Sequence, residues 1–320
     1  MSAYIIRRLL LLIPTLFLVT IIVFLMVRLI PGDIIDLIME EHMFEEKRGR
    51  EVNIEAIEKR LGLDLPIHVQ YGRWISDVLR GDLGESMWTN RPVTEELRNR
   101  LPVSLELGLL GIIVGLLIAV PVGIYSAIRQ DTVGDYLGRS FAILCIAVPN
   151  FWVATMVIVF PSIWWQWTPP LEYIPLADNP IENFKQFIIP AAILGMVLSG
   201  YTMRMTRTMM LEVLRQDYIR TAWSKGLRER VVIVRHALKN ALIPVVSIAA
   251  LQIPVLIGGS VIIEQIFSLP GMGRYFLEAI ADRDYTIVSG INLVVASVVL
   301  LNNLMTDMTY AYLDPRVQYR

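Results

Sequence analysis

Residues 218–246 read YIRTAWSKGLRERVVIVRHALKNALIPVV, and their reading decides the fold. Six fixed positive charges fall between Arg220 and Lys239 (Arg220, Lys225, Arg228, Arg230, Arg235, Lys239), joined by the titratable His236 and opposed by Glu229 alone. Strongly apolar runs lie on both sides, Phe187–Met203 before and Ala241–Ile263 after. A helical pattern runs over Leu211–Lys225, Gly226 stands where a C′ glycine ends a helix, Leu227–Arg230 restarts it, and Val231–Leu242 leads into the next apolar run. The predicted order is helix, glycine corner, short helix, membrane entry.

Composition supports a bilayer setting. The 320 residues are 55% hydrophobic and only 18% charged, and the mean hydropathy is +0.54. Soluble domains seldom combine these values. The net charge of −1 says nothing about partners, because the charges are segregated. Cys145 is the lone cysteine, so no disulfide forms within one chain and the redox compartment stays open. His42, His68 and His236 have no metal-ligand spacing, and no metal is expected.

A bilayer core requires about 20 apolar residues in a helix. Six segments qualify: Leu9–Val27, Leu107–Ile128, Phe141–Trp165, Phe187–Met203, Ala241–Ile263 and Thr286–Tyr312. The first follows Arg7-Arg8 but is too long for a signal-peptide core, and no small-x-small site follows it, so it reads as a retained helix. Orientation follows from Lys and Arg in short loops. With the N-terminus inside, fifteen lie inside: Arg7, Arg8, Arg129, Arg139, nine from Arg204 to Lys239, Arg316 and Arg320. Outside are Lys185, Arg274 and Arg283. The expectation is N-in, C-in, with the basic stretch cytoplasmic.

The fold class expected is therefore an all-α integral membrane protein of six transmembrane helices. Residues 1–30 hold the N-terminus and first helix, 31–102 an external helical segment, and 103–320 a five-helix core with a cytoplasmic loop at about 204–240. Within the external segment, Glu51–Leu63 and Val69–Leu79 are amphipathic. The charge run Glu40–Glu51 reads as a solvated loop, and the function of Met39–Arg60 is not readable. Trp164, Trp165 and Trp167 read as an interfacial belt.

Enzyme chemistry of its own is not expected. No G-x-x-x-x-G-K-[ST], G-x-S-x-G or H-E-x-x-H occurs, and Cys145 has no histidine in any span. A transporter driven from elsewhere is left. Positive-inside charge alone would explain the sign of the basic stretch, but not about 35 residues of structure where a tight turn would serve. A docking element for a cytoplasmic partner explains both.

RTAWSKGL and RHALKNALIP resemble the cytoplasmic coupling loop of ATP-binding cassette importer permeases of the dipeptide/oligopeptide/nickel branch. The resemblance extends to LGLDLPIHVQYGRWISDVLRGDLGESMWTNRPVTEELRNRLPVSLELG at 61–108, SLPGMGRYFLEAIADRDYTIV at 268–288 and YLDPR at 312–316, and so covers essentially the whole chain. Where the general motif has Glu-Ala-Ala, this chain has Arg220, Thr221 and Ala222, as peptide-branch members commonly do. The resemblance implies a multi-pass permease of a bacterial or archaeal plasma (inner) membrane. It implies a second permease, two cytoplasmic ATPase subunits and an external solute-binding protein as partners. ATP and Mg would be bound by the ATPase subunits and no cofactor by this chain. Arg220, Thr221, Ala222, Trp223, Lys225, Gly226, Leu227 and Arg228 would couple to the ATPase. Ion pairs of Arg220, Lys225 and Arg228 would set register at up to about 1 kcal/mol each, with Ile219, Trp223 or Leu227 holding the joint.

For the path, Gln252, Ser260, Glu264 and Asn292 are the candidate lining residues, since polar groups in spans face a bundle interior or a watery cavity. Asn302, Asn303 and Asp307 read as groups joining helices. Di- or oligopeptides are the branch's default substrate. Nickel and oligosaccharides are the alternatives, and a lone ion-coupled secondary transporter is disfavoured because no inverted repeat is visible.

Overall fold

The computed structural model describes residues 2–28, 65–170 and 172–313, and every regular element among them is helical. The expected helix at Glu51–Leu63, the segment Met39–Arg60, and Arg316 and Arg320 lie outside the described residues. The helices are α1 (Ser2–Arg28), α2 (Ile67–Leu79), α3 (Val93–Ile128), α4 (Val133–Ala147), α5 (Asn150–Trp165), α6 (Pro180–Leu214) and α7 (Asp217–Ser224). A single helical turn, Glu229–Val231, and a π-helical stretch, Val232–Leu238, then lead into α8 (Lys239–Ile266), followed by α9 (Met272–Ala281) and α10 (Tyr285–Leu313). Contacts divide the chain into two units. The first comprises Met1–Leu9, Arg98–Glu278 and Ser297–Arg320, and the second comprises Leu10–Leu97 and Ala279–Ala296.

Among the described residues five helices are long and apolar enough to span a membrane, or six if one bent pair is counted as a span. That pair corrects an expectation. Phe141–Trp165 is not one helix, because α4 and α5 meet at a 96° bend. The cause is local: Pro149 disfavours helical backbone at the residue before it, and Val148 adopts ψ 125°. The expected boundary at 102/103 falls inside α3, which starts at Val93 and runs through Pro102. The basic helix expected over Leu211–Lys225 is also divided: α6 ends at Leu214 and α7 begins at Asp217.

In the first unit, α3 presents a buried stripe at every fourth residue: Val103, Leu107, Gly111, Gly115, Ala119 and Gly123. Leu105, Leu109, Ile113 and Leu117, on another side, are exposed as lipid-facing residues would be. The stripe meets α6. A Cβ on Gly195 would overlap the Gly111 carbonyl, and one on Gly115 would lie 3.0 Å from the Gly195 carbonyl. Small residues let the two backbones touch, which is how helices associate where burial from water gives no drive. Around this contact Val103, Leu107, Phe187, Leu194 and Leu198 form a core with Ala249 and Ile263 of α8. Pro254 of α8 lacks the N–H that would bond the Ala250 carbonyl, and Asn302 Nδ2 donates to that carbonyl instead at 3.2 Å. Arg8 pairs with Asp307 at 2.9 Å. Asn302 and Asp307 thus do join helices.

In the second unit, α1 and α2 meet through aromatic rings. Phe24 lies 5.2 Å from Tyr71 and 5.7 Å from Trp74, and Thr20 and Tyr71 share a hydroxyl hydrogen bond of 2.8 Å. The turn before α3 is fastened to the start of α10. The buried Asp284 carboxylate accepts from Ser86 Oγ at 2.6 Å, Met87 N at 3.0 Å and Ile287 N at 3.2 Å, while Trp88 Nε1 donates to the Asp282 carbonyl.

Candidate functional site: the coupling loop and its arms

The loop between α6 and α8 is a folded corner. At the end of α7, Gly226 N–H bonds the Trp223 carbonyl at 2.9 Å and Leu227 N–H reaches the Ala222 carbonyl at 3.4 Å. These are the two bonds of a Schellman ending, which places a left-handed residue at C′, and Gly226 has φ +71°. No heavy atom lies within 4 Å of a Cβ built there, so the glycine serves the backbone conformation and not a close approach.

One face of α7 is buried and the other is open. Ile219 is 0% exposed and Ala222 is buried, packed with Ala127, Met210, Val232, Ala237 and Ala241. Ile219 is therefore committed to the chain's own core and is not free to hold an outside partner, which corrects that part of the expectation. Arg220, Thr221, Trp223, Lys225, Gly226, Leu227 and Arg228 are all exposed, with Trp223 at 45%. The exposed Trp223, flanked by cations on a short braced helix, gives this face an apolar centre and a charged rim. Tyr218 Oη accepts from Asn240 Nδ2 at 2.8 Å, tying α7 to the start of α8.

Behind the loop sits a buried ion pair. Asp135 of α4 is 0% exposed, and Arg207 of α6 grips it twice, Nε to Oδ1 and Nη2 to Oδ2, both at 2.8 Å. Ser126 Oγ of α3 donates to the same carboxylate, as does Asp131 N–H at 3.0 Å. Every lone pair of the carboxylate finds a donor, the condition under which a buried charge persists.

At the far end of α8, Glu264 is wholly enclosed. Its carboxylate accepts from Ser104 Oγ of α3 at 2.6 Å and from Arg274 N–H at the start of α9 at 3.0 Å. Ser104 Oγ in turn accepts from Met272 N–H at 2.8 Å. A Cβ on Gly271 would overlap the carboxylate, and one on Gly273 would come within 2.6 Å of Val261 Cα. The motif PGMG at 270–273 is thus a cradle that lets helix-start N–H groups approach an acid. Of the other path candidates, Ser260 is buried and donates to the Ile257 carbonyl at 2.8 Å, and Gln252 is half-buried further down α8. Asn292 lies in the second unit, half-buried, donating to the Val288 carbonyl at 2.9 Å.

The binding-protein-dependent transport system inner membrane component family matches residues 119–319, and the N-terminal family of the same membrane components matches residues 1–108. The chain belongs to this family. It is an ATP-binding cassette importer permease of the peptide branch and a multi-pass protein of the inner membrane. It is 39% identical over 319 residues to a putative peptide transport system permease protein of Brucella abortus, all of both chains being covered. It is 40% identical over 345 residues to the dipeptide transport system permease protein of Alkalihalophilus pseudofirmus and 37% over 343 residues to that of Escherichia coli K12, again with full coverage of both chains. Among solved structures, the permease fold is shared with the MetNI methionine ABC transporter in an inward-facing form (TM-score 0.56, 14% identity, 68% of this chain and 96% of that one). An amino acid ABC transporter with histidines gives a TM-score of 0.54 at 12% identity, with 68% and 94% covered.

Reading the sequence missed the Asp135–Arg207 pair and Ser104. The signal was present for the first: Arg207 follows an apolar run, and Asp135 stands three residues after Thr132 as in a helix cap. Ser104 carried none.

Proposed function

We propose that this permease forms the translocation path of a di- or oligopeptide importer together with a second, similar permease, and that it is driven by two cytoplasmic ATPase subunits. The observation that carries the substrate class is the end-to-end identity of 37–40% with proteins named for dipeptide transport. An external solute-binding protein delivers the peptide, and ATP and Mg are held by the ATPase subunits. The chain runs N-in, C-in, which puts the coupling loop on the ATPase side. Trp223 and Leu227 enter a groove on one ATPase subunit, and Arg220, Lys225 and Arg228 set the register. The Thr221 and Ala222 backbone forms the wall behind them. Gln252 contributes polar surface to the path, and Glu264 supports its outer end. A docked loop has different contacts in the open and closed ATPase dimer, and that difference moves the permease.

The test is uptake by the complete importer in proteoliposomes, with binding protein and ATP. Labelled dipeptide should accumulate and a short oligosaccharide or nickel should not. Accumulation of nickel or oligosaccharide without dipeptide uptake would defeat the substrate reading and leave the family assignment standing.

A further inference from the structure

Both arms of the coupling loop are tied to α3, one directly and one through Asp135 of α4. α6, which leads into the loop, carries Arg207, and Arg207 is locked onto Asp135 beside Ser126 of α3. α8, which leads out of it, carries Glu264 in its last turn, and Glu264 is locked onto Ser104 of α3. Ser104 and Ser126 stand twenty-two residues apart on one helix, which runs on through Pro121, or about 33 Å at a rise of about 1.5 Å per residue. That matches the hydrocarbon thickness of about 30 Å. One clasp therefore lies at each end of the bundle, and α3 is common to both.

We propose that Ser126–Asp135–Arg207 and Ser104–Glu264 are positioning groups that make α3, α6 and α8 a single rigid body, so that a displacement of the coupling loop reaches the turn between α8 and α9 undiminished. The proposal rests on the coupling reading above. α8 requires such an anchor. It contains Pro244 and Pro254 and begins beside the π-helical stretch Val232–Leu238, and prolines and π-bulges are where helices bend. A helix with those interruptions, free at its far end, would absorb part of an imposed shift by bending. Glu264 removes that freedom, because its carboxylate is bonded to α3 on one side and to the first turn of α9 on the other. At the loop end, apolar packing alone would let α6 slide, whereas the two-pronged guanidinium–carboxylate pair fixes its distance and angle to α4, and Ser126 Oγ ties the same carboxylate to α3.

The experiment uses the complete importer with Cys145→Ser, and with spin labels at Glu212→Cys near the loop end of α6 and Leu277→Cys on α9, both exposed positions. A control pair joins position 212 to a surface site on the ATPase subunit. Distances are measured in the resting and ATP-trapped states. The control pair moves, and the 212–277 distance holds to within about 2 Å, the size of helix shifts at sliding interfaces. In Glu264→Ala the 212–277 distance ceases to hold and peptide transported per ATP hydrolysed falls by about tenfold. Glu264→Gln keeps one acceptor oxygen and falls between. Ser104→Ala and Ser126→Ala, mild enough to assemble, shift in the same direction. A 212–277 distance that changes while the control moves overturns the rigid body. So does a Glu264→Ala complex with an unaltered distance and full transport per ATP. A control pair that stays still defeats the coupling reading itself, and the proposal with it.

Discussion

Gly226 is the position where a small change has the most calculable effect on the corner after α7. Its φ of +71° lies in the left-handed region, and nothing within 4 Å of a Cβ there would clash. The effect of a side chain is therefore a backbone term. An L-residue in that region costs about 1–2 kcal/mol, and a Cβ also narrows the unfolded ensemble, which offsets about 0.4–1 kcal/mol. The net for Gly226→Ala is about 1 kcal/mol, or about fivefold in the population of the formed corner. Gly226→Val costs more because it is β-branched. Gly226→Asn costs less, since asparagine visits this region. Gly226→Pro is worst: its φ is fixed near −65°, and it removes the N–H that bonds Trp223. The direct assay is amide hydrogen exchange at Leu227, whose N–H closes the corner onto the Ala222 carbonyl. Exchange should quicken about fivefold in the alanine variant, more in valine, and little in asparagine. Binding-protein-stimulated ATP hydrolysis in the assembled importer should fall in the same order. A normally assembled Gly226→Val importer with unchanged Leu227 exchange and full stimulated hydrolysis would refute the reasoning.

Arg207→Met should lower thermal stability strongly, by about 3–5 kcal/mol, because it leaves the enclosed Asp135 charge without its partner; a variant melting with the wild type would contradict the burial of that pair. Asp284→Ala deprives Ser86 Oγ and two backbone N–H groups of their acceptor, and should cost about 1–3 kcal/mol and open residues 81–92 to limited proteolysis. Gly195→Ala should destabilise by about 1–3 kcal/mol, read as a lowered melting temperature, since its Cβ would overlap the Gly111 carbonyl. For topology, cysteine placed at position 228 should resist an impermeant thiol reagent in sealed cells while cysteine at 77 reacts; labelling at 228 would reverse the proposed orientation.

The apolar runs made the helices legible, because lipid-spanning length is a one-dimensional property of sequence. Leu9–Val27 and Thr286–Tyr312 fall inside α1 and α10 on that basis alone. The same measure misread Phe141–Trp165, since hydropathy is blind to the direction a chain takes at Val148-Pro149. At the loop, glycine at a helix end and the cluster of cations were both local signals, so the corner was foreseen. Which face of α7 turns inward was not. Ile219 and Trp223 are one helical turn apart and both apolar, yet Ile219 packs against Met210 and Val232 while Trp223, at the edge of the same face, stays 45% exposed. Glu264 shows the same limit. A carboxylate near the end of a span looks like path lining until Ser104 is found beside it, from 160 residues away.

The fourfold spacing on α3 bears on how a chain like this can drift. At Leu105, Leu109, Ile113 and Leu117 the surroundings are fluid, and one apolar side chain serves as well as another. At Gly115 and Gly123 the surroundings are the carbonyl groups and side chains of α6, and an added methyl group would come within about 3 Å of them. Substitutions accumulated over time should therefore sort by side of the helix, with rapid interchange among leucine, isoleucine and valine on one side and near-silence on the other. An identity averaged over the whole helix would mix these two clocks. A random mutagenesis library scored for function would separate them, with tolerated and forbidden positions alternating every two residues along α3.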